Sequence, residues 1–202
     1  MAFNNPLPNV LVLGHSFVAR LWNDIRFNHD PSHLHHNFGL AQATVRFLGF
    51  RGGVIQTLIE DVHDRLRQEI LQHSPSLVIL QIGGNDIDRP DFDIEGYVRD
   101  VLYLIDLLQH HYLVLSVVVC EIFPRCSTRH IPCHEYQEIK DRITLDLNSE
   151  LSHTSNACLW RHREGLMTRD EYSLVDGVHL NQAGTRRFYR SLRGIVMQFF
   201  PL

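Results

Sequence analysis

Short runs of continuous apolar, largely β-branched residues recur along the chain, and each of the first four leads into a stretch of helical period. Asn9–Leu13 (NVLVL) is stopped by Gly14, after which Val18, Leu21, Trp22 and Ile25 fall at helical spacing. Ala43–Leu48 precedes Gly49, Gly52 and Gly53, and Leu58, Ile59, Val62, Leu66 and Ile70 then predict a helix over Val54–Gln72. Leu77–Ile82 (LVILQI) ends at Gly83 and Gly84, and the stripe Val98, Val101, Leu102, Ile105, Leu108 predicts a helix over Ile94–His111. Leu113–Cys120 is the most β-branched run and precedes a helical stretch over Glu135–Leu151. Ala157–Trp160 reads as a weaker fifth strand, and the last helix runs over Asn181–Phe199 behind an Asn cap. Strands apolar at every position are buried on both faces, and amphipathic helices supply the cover. The pattern predicts an α/β fold, a three-layer α/β/α sandwich around a five-stranded parallel sheet with right-handed crossovers. No internal repeat, low-complexity tract or linker divides residues 1–202, so one domain is expected. In such sheets ligands bind beyond the carboxyl ends of the strands.

Composition narrows the partners. Hydrophobic residues make up 44% and charged residues 21%, as in an ordinary globular protein, and the formal charge of −4 offers no electrostatic footprint for nucleic acid. Met1–Pro8 lacks the basic, apolar, small-residue order of a secretory signal, and the longest apolar runs fall well short of the ~20 residues that span a bilayer. Cys120, Cys126, Cys133 and Cys158 match no disulfide framework. Free thiols in an intracellular, reducing compartment are therefore expected.

Four sites at the expected element ends carry chemistry-bearing residues. Gly14-His15-Ser16 places a Ser between a strand and a helix N-terminus, where an anion is stabilised. A plain helix N-cap is the other reading of Ser16. Arg51-Gly52-Gly53 permits close backbone approach, or is an ordinary tight turn. Gly83-Gly84-Asn85-Asp86 can aim a side-chain amide at the same crevice, or form an Asx turn. Asp176-Gly177-Val178-His179 sets a carboxylate three residues before an imidazole, the base-plus-orienter half of a triad, though the pair alone is a weak signal.

The series Gly-x-Ser, Gly, Gly-x-Asn-Asp, Asp-x-x-His, with this element order from Val10 to about Phe199, resembles the SGNH (GDSL-type) hydrolase superfamily, whose fold is flavodoxin-like. The resemblance implies a serine esterase that hydrolyses a carboxylic ester through an acyl-enzyme, and a short acyl group is expected because no long apolar lid segment is evident in the sequence. Ser16 is then the nucleophile, His179 the base and Asp176 the residue that orients it. The oxyanion hole is expected from the Ser16 N–H, the Gly53 N–H with Gly52 as competitor, and the Asn85 side chain. Neither metal nor cofactor is implied, and the expected partner is a small-molecule ester. The first block departs from the family's Gly-Asp-Ser by having His15 in place of the Asp, which is expected to pack beside the site and add pH sensitivity. His15, Arg51 and Arg125 are candidate substrate contacts, a guanidinium suiting a carboxylate or phosphate. The patches His33, His35, His36 and His110-His111, and the group Cys126, His130, Cys133, His134, fit no zinc spacing and read as surface residues. The rival class is a catalytically silent module of the same fold, inside a larger or mobile-element-encoded protein.

Overall fold

The computed structural model describes residues 7–27, 35–61, 64–162, 166 and 176–201. Five parallel strands form its sheet: β1 (Asn9–Gly14), β2 (Thr44–Gly49), β3 (Leu77–Gln81), β4 (Ser116–Cys120) and β5 (Ala157–Trp160), in the order β2-β1-β3-β4-β5. β1 is central, with Leu11 opposite Arg46 on one side and Val78 on the other. The three-layer α/β/α sandwich expected from the sequence is the observed fold.

Alternate strand residues face opposite layers. Val10, Val12, Leu77, Ile79, Val118 and Cys120 pack with α1 (Ser16–Phe27) and α7 (Gln182–Phe199), which contribute Val18 and Leu21, and Phe188, Leu192 and Ile195. Leu11, Leu13, Val78, Leu80, Val117 and Val119 pack on the other side. There they meet α2 (Ile55–Asp61), α3 (Arg65–His73), α5 (Ile94–Asp106) and α6 (Cys133–Leu151). Burial on both faces explains why these strands read as unbroken apolar runs.

Three elements differ from expectation, each for a local reason. The helix expected over Val54–Gln72 is split into α2 and α3, because the Asp61 carboxylate accepts the Leu66 N–H (2.9 Å) and starts a new helix. Val62 lies outside the described residues. The Ile94–His111 helix ends α5 at Asp106 and closes with one turn of π-helix, Leu107–His111, where the Tyr112 N–H reaches the Leu107 carbonyl (3.1 Å). Leu113 then adopts a left-handed φ of 58° and is exposed, so β4 starts at Ser116. A short helix, α4 (Gly84–Ile87), follows β3 directly and carries Asn85.

Gly14 and Gly49 are register partners at the ends of β1 and β2. A Cβ on Gly14 would overlap the Gln81 carbonyl, and one on Gly49 would overlap the backbone of Ala19 in α1. Their bare backbones let α1 fold back against the sheet, which brings Ser16 to the carboxyl edge.

Candidate active site

Ser16 opens α1 two residues beyond the glycine that ends β1. Its Oγ lies 3.0 Å from Nε2 of His179, and Nδ1 of that ring lies 2.8 Å from Oδ2 of Asp176. Oδ1 of Asp176 accepts the backbone N–H groups of Val178 (3.0 Å) and His179 (2.9 Å). Desolvation pushes the Asp176 pKa up, but these N–H donors and the His179 ring outweigh it and hold the carboxyl well below the usual carboxylate range. An ionised Asp176 accepts from Nδ1–H, which leaves Nε2 as an acceptor for the Ser16 hydroxyl. The turn depends on Gly177, at φ 66°, whose carbonyl accepts the N–H groups of Cys126 (2.8 Å) and Ser127 (3.2 Å). Phe17 is buried with its ring 5.6 Å from that of His179.

Asn85 is held at both ends of its amide. Nδ2 donates to the Gly53 carbonyl (2.9 Å), and Oδ1 accepts from Nη2 of Arg125 (2.7 Å). Because one partner is an acceptor and the other a donor, the amide has one orientation, with its second N–H left over. Arg125 also pairs with Oδ2 of Asp88 at 3.4 Å, and Oδ1 of Asp88 accepts the N–H groups of Arg129 (2.8 Å) and His130 (3.1 Å). Gly84 leaves room for this guanidinium, since a Cβ there would come within 2.9 Å of Nη2. Asp86 accepts the Ile55 N–H at 2.7 Å and so ties α4 to the start of α2, and burial pushes its pKa up to about 6 against that bond and the charges of Arg89 and Arg125.

The expected second backbone donor needs correction. The Gly53 N–H donates to the Phe50 carbonyl (3.0 Å) inside a turn, and Gly53 does not line the cleft. Gly52, at φ 72°, does line it. His15 is corrected as well. It is 1% exposed, lies outside the cleft lining and has no access to a substrate. Burial first, then the charges of Arg125 and His179, push its pKa down to about 3, so it stays neutral where a pH switch was expected. Arg125 lines the cleft, but its side chain is 4% exposed and engaged with Asn85 and Asp88. Arg51 lines the cleft and is exposed.

Sequence reasoning missed Asp88 as the partner of Arg125 and Asp86 as the cap of α2. Neither had a local signal, because the contacts join loops 37 and 31 residues apart. It also missed a second Ser–His contact, buried behind the sheet edge. His162 Nδ1 lies 2.9 Å from Ser191 Oγ and its Nε2 lies 3.0 Å from Gln81 Oε1. His162 Nε2–H donates to Gln81 Oε1, so Nδ1 of the neutral ring accepts the Ser191 hydroxyl, whose oxygen accepts from the Trp160 indole (2.9 Å). Burial pushes the His162 pKa down to about 3, and the pair has no opening on the cleft. Among the described residues no three His, Cys, Asp or Glu converge as metal ligands, and no helix is long and apolar enough to cross a membrane. His33 lies outside the described residues.

The cleft over Ser16, Gly52, Asn85 and His179 has a volume of about 1250 Å³. A hydrogen-bonded Ser–His–Asp chain thus lies at the carboxyl edge of a parallel sheet in a three-layer sandwich. The chain belongs to the GDSL-like lipase/acylhydrolase family, whose model matches residues 12–187, and is thereby an esterase-type hydrolase. A search of the curated proteins finds no significant match. Among solved structures, a GDSL-like lipase from Bacteroides thetaiotaomicron is similar at TM-score 0.69 and 14% identity, over 98% of this chain and 93% of that one. A carbohydrate esterase family 3 protein from Talaromyces cellulolyticus is similar at TM-score 0.65 and 13% identity, over 96% and 98%. The lipase/acylhydrolase from Enterococcus faecalis is similar at TM-score 0.62 and 14% identity, over 96% and 97%.

Proposed function

We propose that the chain is a serine esterase that hydrolyses a short-acyl carboxylic ester through an acyl-enzyme, with residues 1–202 as a single catalytic domain. The observation that carries this is the unbroken hydrogen-bond chain Ser16–His179–Asp176 facing the anchored Asn85 amide across one cleft. His179 Nε2 takes the Ser16 proton as Oγ attacks the carbonyl carbon. Negative charge develops on the carbonyl oxygen, where the Ser16 N–H, the Gly52 N–H and the free Asn85 Nδ2–H stabilise it. His179 then protonates the departing alcohol. Water attacks the acyl-enzyme by the same route, and Oγ leaves with the proton returned by His179. The preference for a short acyl group is supported by the lining, whose large apolar members among the described residues are Val54, Val178 and Leu180.

The test is hydrolysis of p-nitrophenyl acetate, butyrate and octanoate at mildly alkaline pH by the wild-type protein and Ser16→Ala. Turnover that disappears in Ser16→Ala, with acetate or butyrate preferred, is expected. Turnover that persists in the variant refutes the nucleophile. Folded wild-type protein that turns over none of the three, and takes no covalent label from a fluorophosphonate, points instead to a silent binding module.

A further inference from the structure

We infer that the ester taken by this site carries an anionic group, a carboxylate or a phosphate, in the part of the molecule that does not react. The inference rests on the esterase reading above. Among the described residues, five arginines line the cleft (Arg20, Arg51, Arg89, Arg125 and Arg129) against three aspartates, Asp24, Asp88 and Asp176, in a chain whose overall charge is −4. The described lining and the molecule as a whole therefore differ in sign. The acids are largely committed. Asp176 serves His179, and Asp88 serves Arg125 and two backbone N–H groups. Arg20 lies close enough to Asp24 to stabilise its carboxylate, and Arg89 lies 3.5 Å from Asp91. Arg51 and Arg129 have no ion-pair partner among the described residues, and the proposed chemistry uses neither.

Their backbone placement gives this surplus a location. Arg51 immediately precedes Gly52, the proposed second oxyanion donor. Arg129 is pinned by its own N–H to Asp88, the carboxylate that holds Arg125 and, through it, Asn85. Both guanidinium groups thus leave from backbone fixed around the oxyanion donors, on opposite loops of one cleft. A planar fork of N–H donors suits a carboxylate or phosphate, and a cleft of one sign concentrates ligands of the other.

Two matched pairs test this. p-Nitrophenyl hemisuccinate against p-nitrophenyl butyrate places the charge in the acyl part. 4-Acetoxybenzoate against phenyl acetate places it in the alcohol part. In at least one pair kcat/KM should favour the anion by about tenfold or more, the factor given by one hydrogen bond to a charged group. That ratio should collapse in Arg51→Gln/Arg129→Gln and shrink as salt is raised. Anionic esters taken no better than their neutral partners, or a preference that survives the double substitution, overturns the inference. A readout independent of turnover is calorimetric titration of phenyl phosphate into Ser16→Ala. Salt-sensitive binding that is lost when the two arginines are replaced supports the anion locus, and no binding refutes it. Failure of the esterase reading looks different, as neutral-ester turnover that is absent or independent of Ser16.

Discussion

Replacing Arg125 by Met removes the group that holds the Asn85 amide in place. Its Nη2 donates to Asn85 Oδ1 at 2.7 Å, whereas the other end of the amide has only the 2.9 Å bond to the Gly53 carbonyl. A charge-assisted hydrogen bond is worth about 1.5–3 kcal/mol, so its loss weakens the bias toward the productive rotamer by about 10–100-fold. Loss of a whole oxyanion donor costs about 10²–10³ in kcat, which caps the effect. Arg125→Met should therefore lower kcat on p-nitrophenyl acetate by about 10–100-fold with little change in KM. The buried Asp88 also loses its cation. A broken buried pair costs about 3–5 kcal/mol, and the two N–H donors that remain on Asp88 place this one at the lower end. Thermal unfolding should report that loss. Arg125→Lys should recover part of the stability and little of kcat, because one ammonium cannot span Asp88 and Asn85 together. Asn85→Ala supplies the decisive comparison. If Arg125 acts through Asn85, Arg125→Met adds almost nothing to kcat in the Asn85→Ala background. Additive losses, or an unchanged kcat in Arg125→Met, would refute the positioning role.

Two further expectations concern folding. Gly14→Ala should fail to fold or unfold at much lower temperature, because its Cβ would overlap the Gln81 carbonyl and crowd Val18; near-wild-type calorimetry would show that α1 can shift. Stability should fall with acid. Burial holds His15 and His162 at about 3 in the native protein against 6.5 for an ordinary histidine, so below 6.5 the unfolded chain takes up protons that the native one refuses. Asp86, raised from 3.8 to about 6, opposes this by one proton between those values. Urea unfolding followed from about pH 7 down to about pH 4 should show the net loss, and His162→Gln should reduce the slope by close to one proton. An unchanged slope would count against a neutral, buried His162.

Much of the fold was legible because it is written in short-range periodicity. A strand buried on both faces is apolar over most of its length, as in Leu77–Leu80, and a covering helix must repeat every three or four residues, as Val98, Val101 and Ile105 do. Ser16, Asn85, Asp176 and His179 stood out because each sits beside a glycine or turn at an element end, in an order shared with a known family. The interruptions were less visible. The π turn at Leu107–His111 and the break between α2 and α3 depend on which hydrogen bond a backbone group takes, while the apolar stripe runs through both.

The chain's local pattern alone thus determined a parallel α/β sheet and the residues that gather at its carboxyl edge. Tertiary structure decided how those residues are used. Ser16 and His179 are 163 residues apart, and only the return of α7 to the face that holds α1 puts them 3.0 Å from each other. The proposal of Gly52 over Gly53 as a donor rests on the Gly53 N–H being spent on Phe50 within a local turn. Arg125 became the anchor of Asn85 because β3 and β4 are neighbours in the sheet, which sets their following loops side by side. His15 lost its expected titration because it is buried, with the charges of Arg125 and His179 beside it. Periodicity is a property of neighbours in sequence, whereas hydrogen-bond partners and desolvation are set by which distant segments the packed sheet brings into contact.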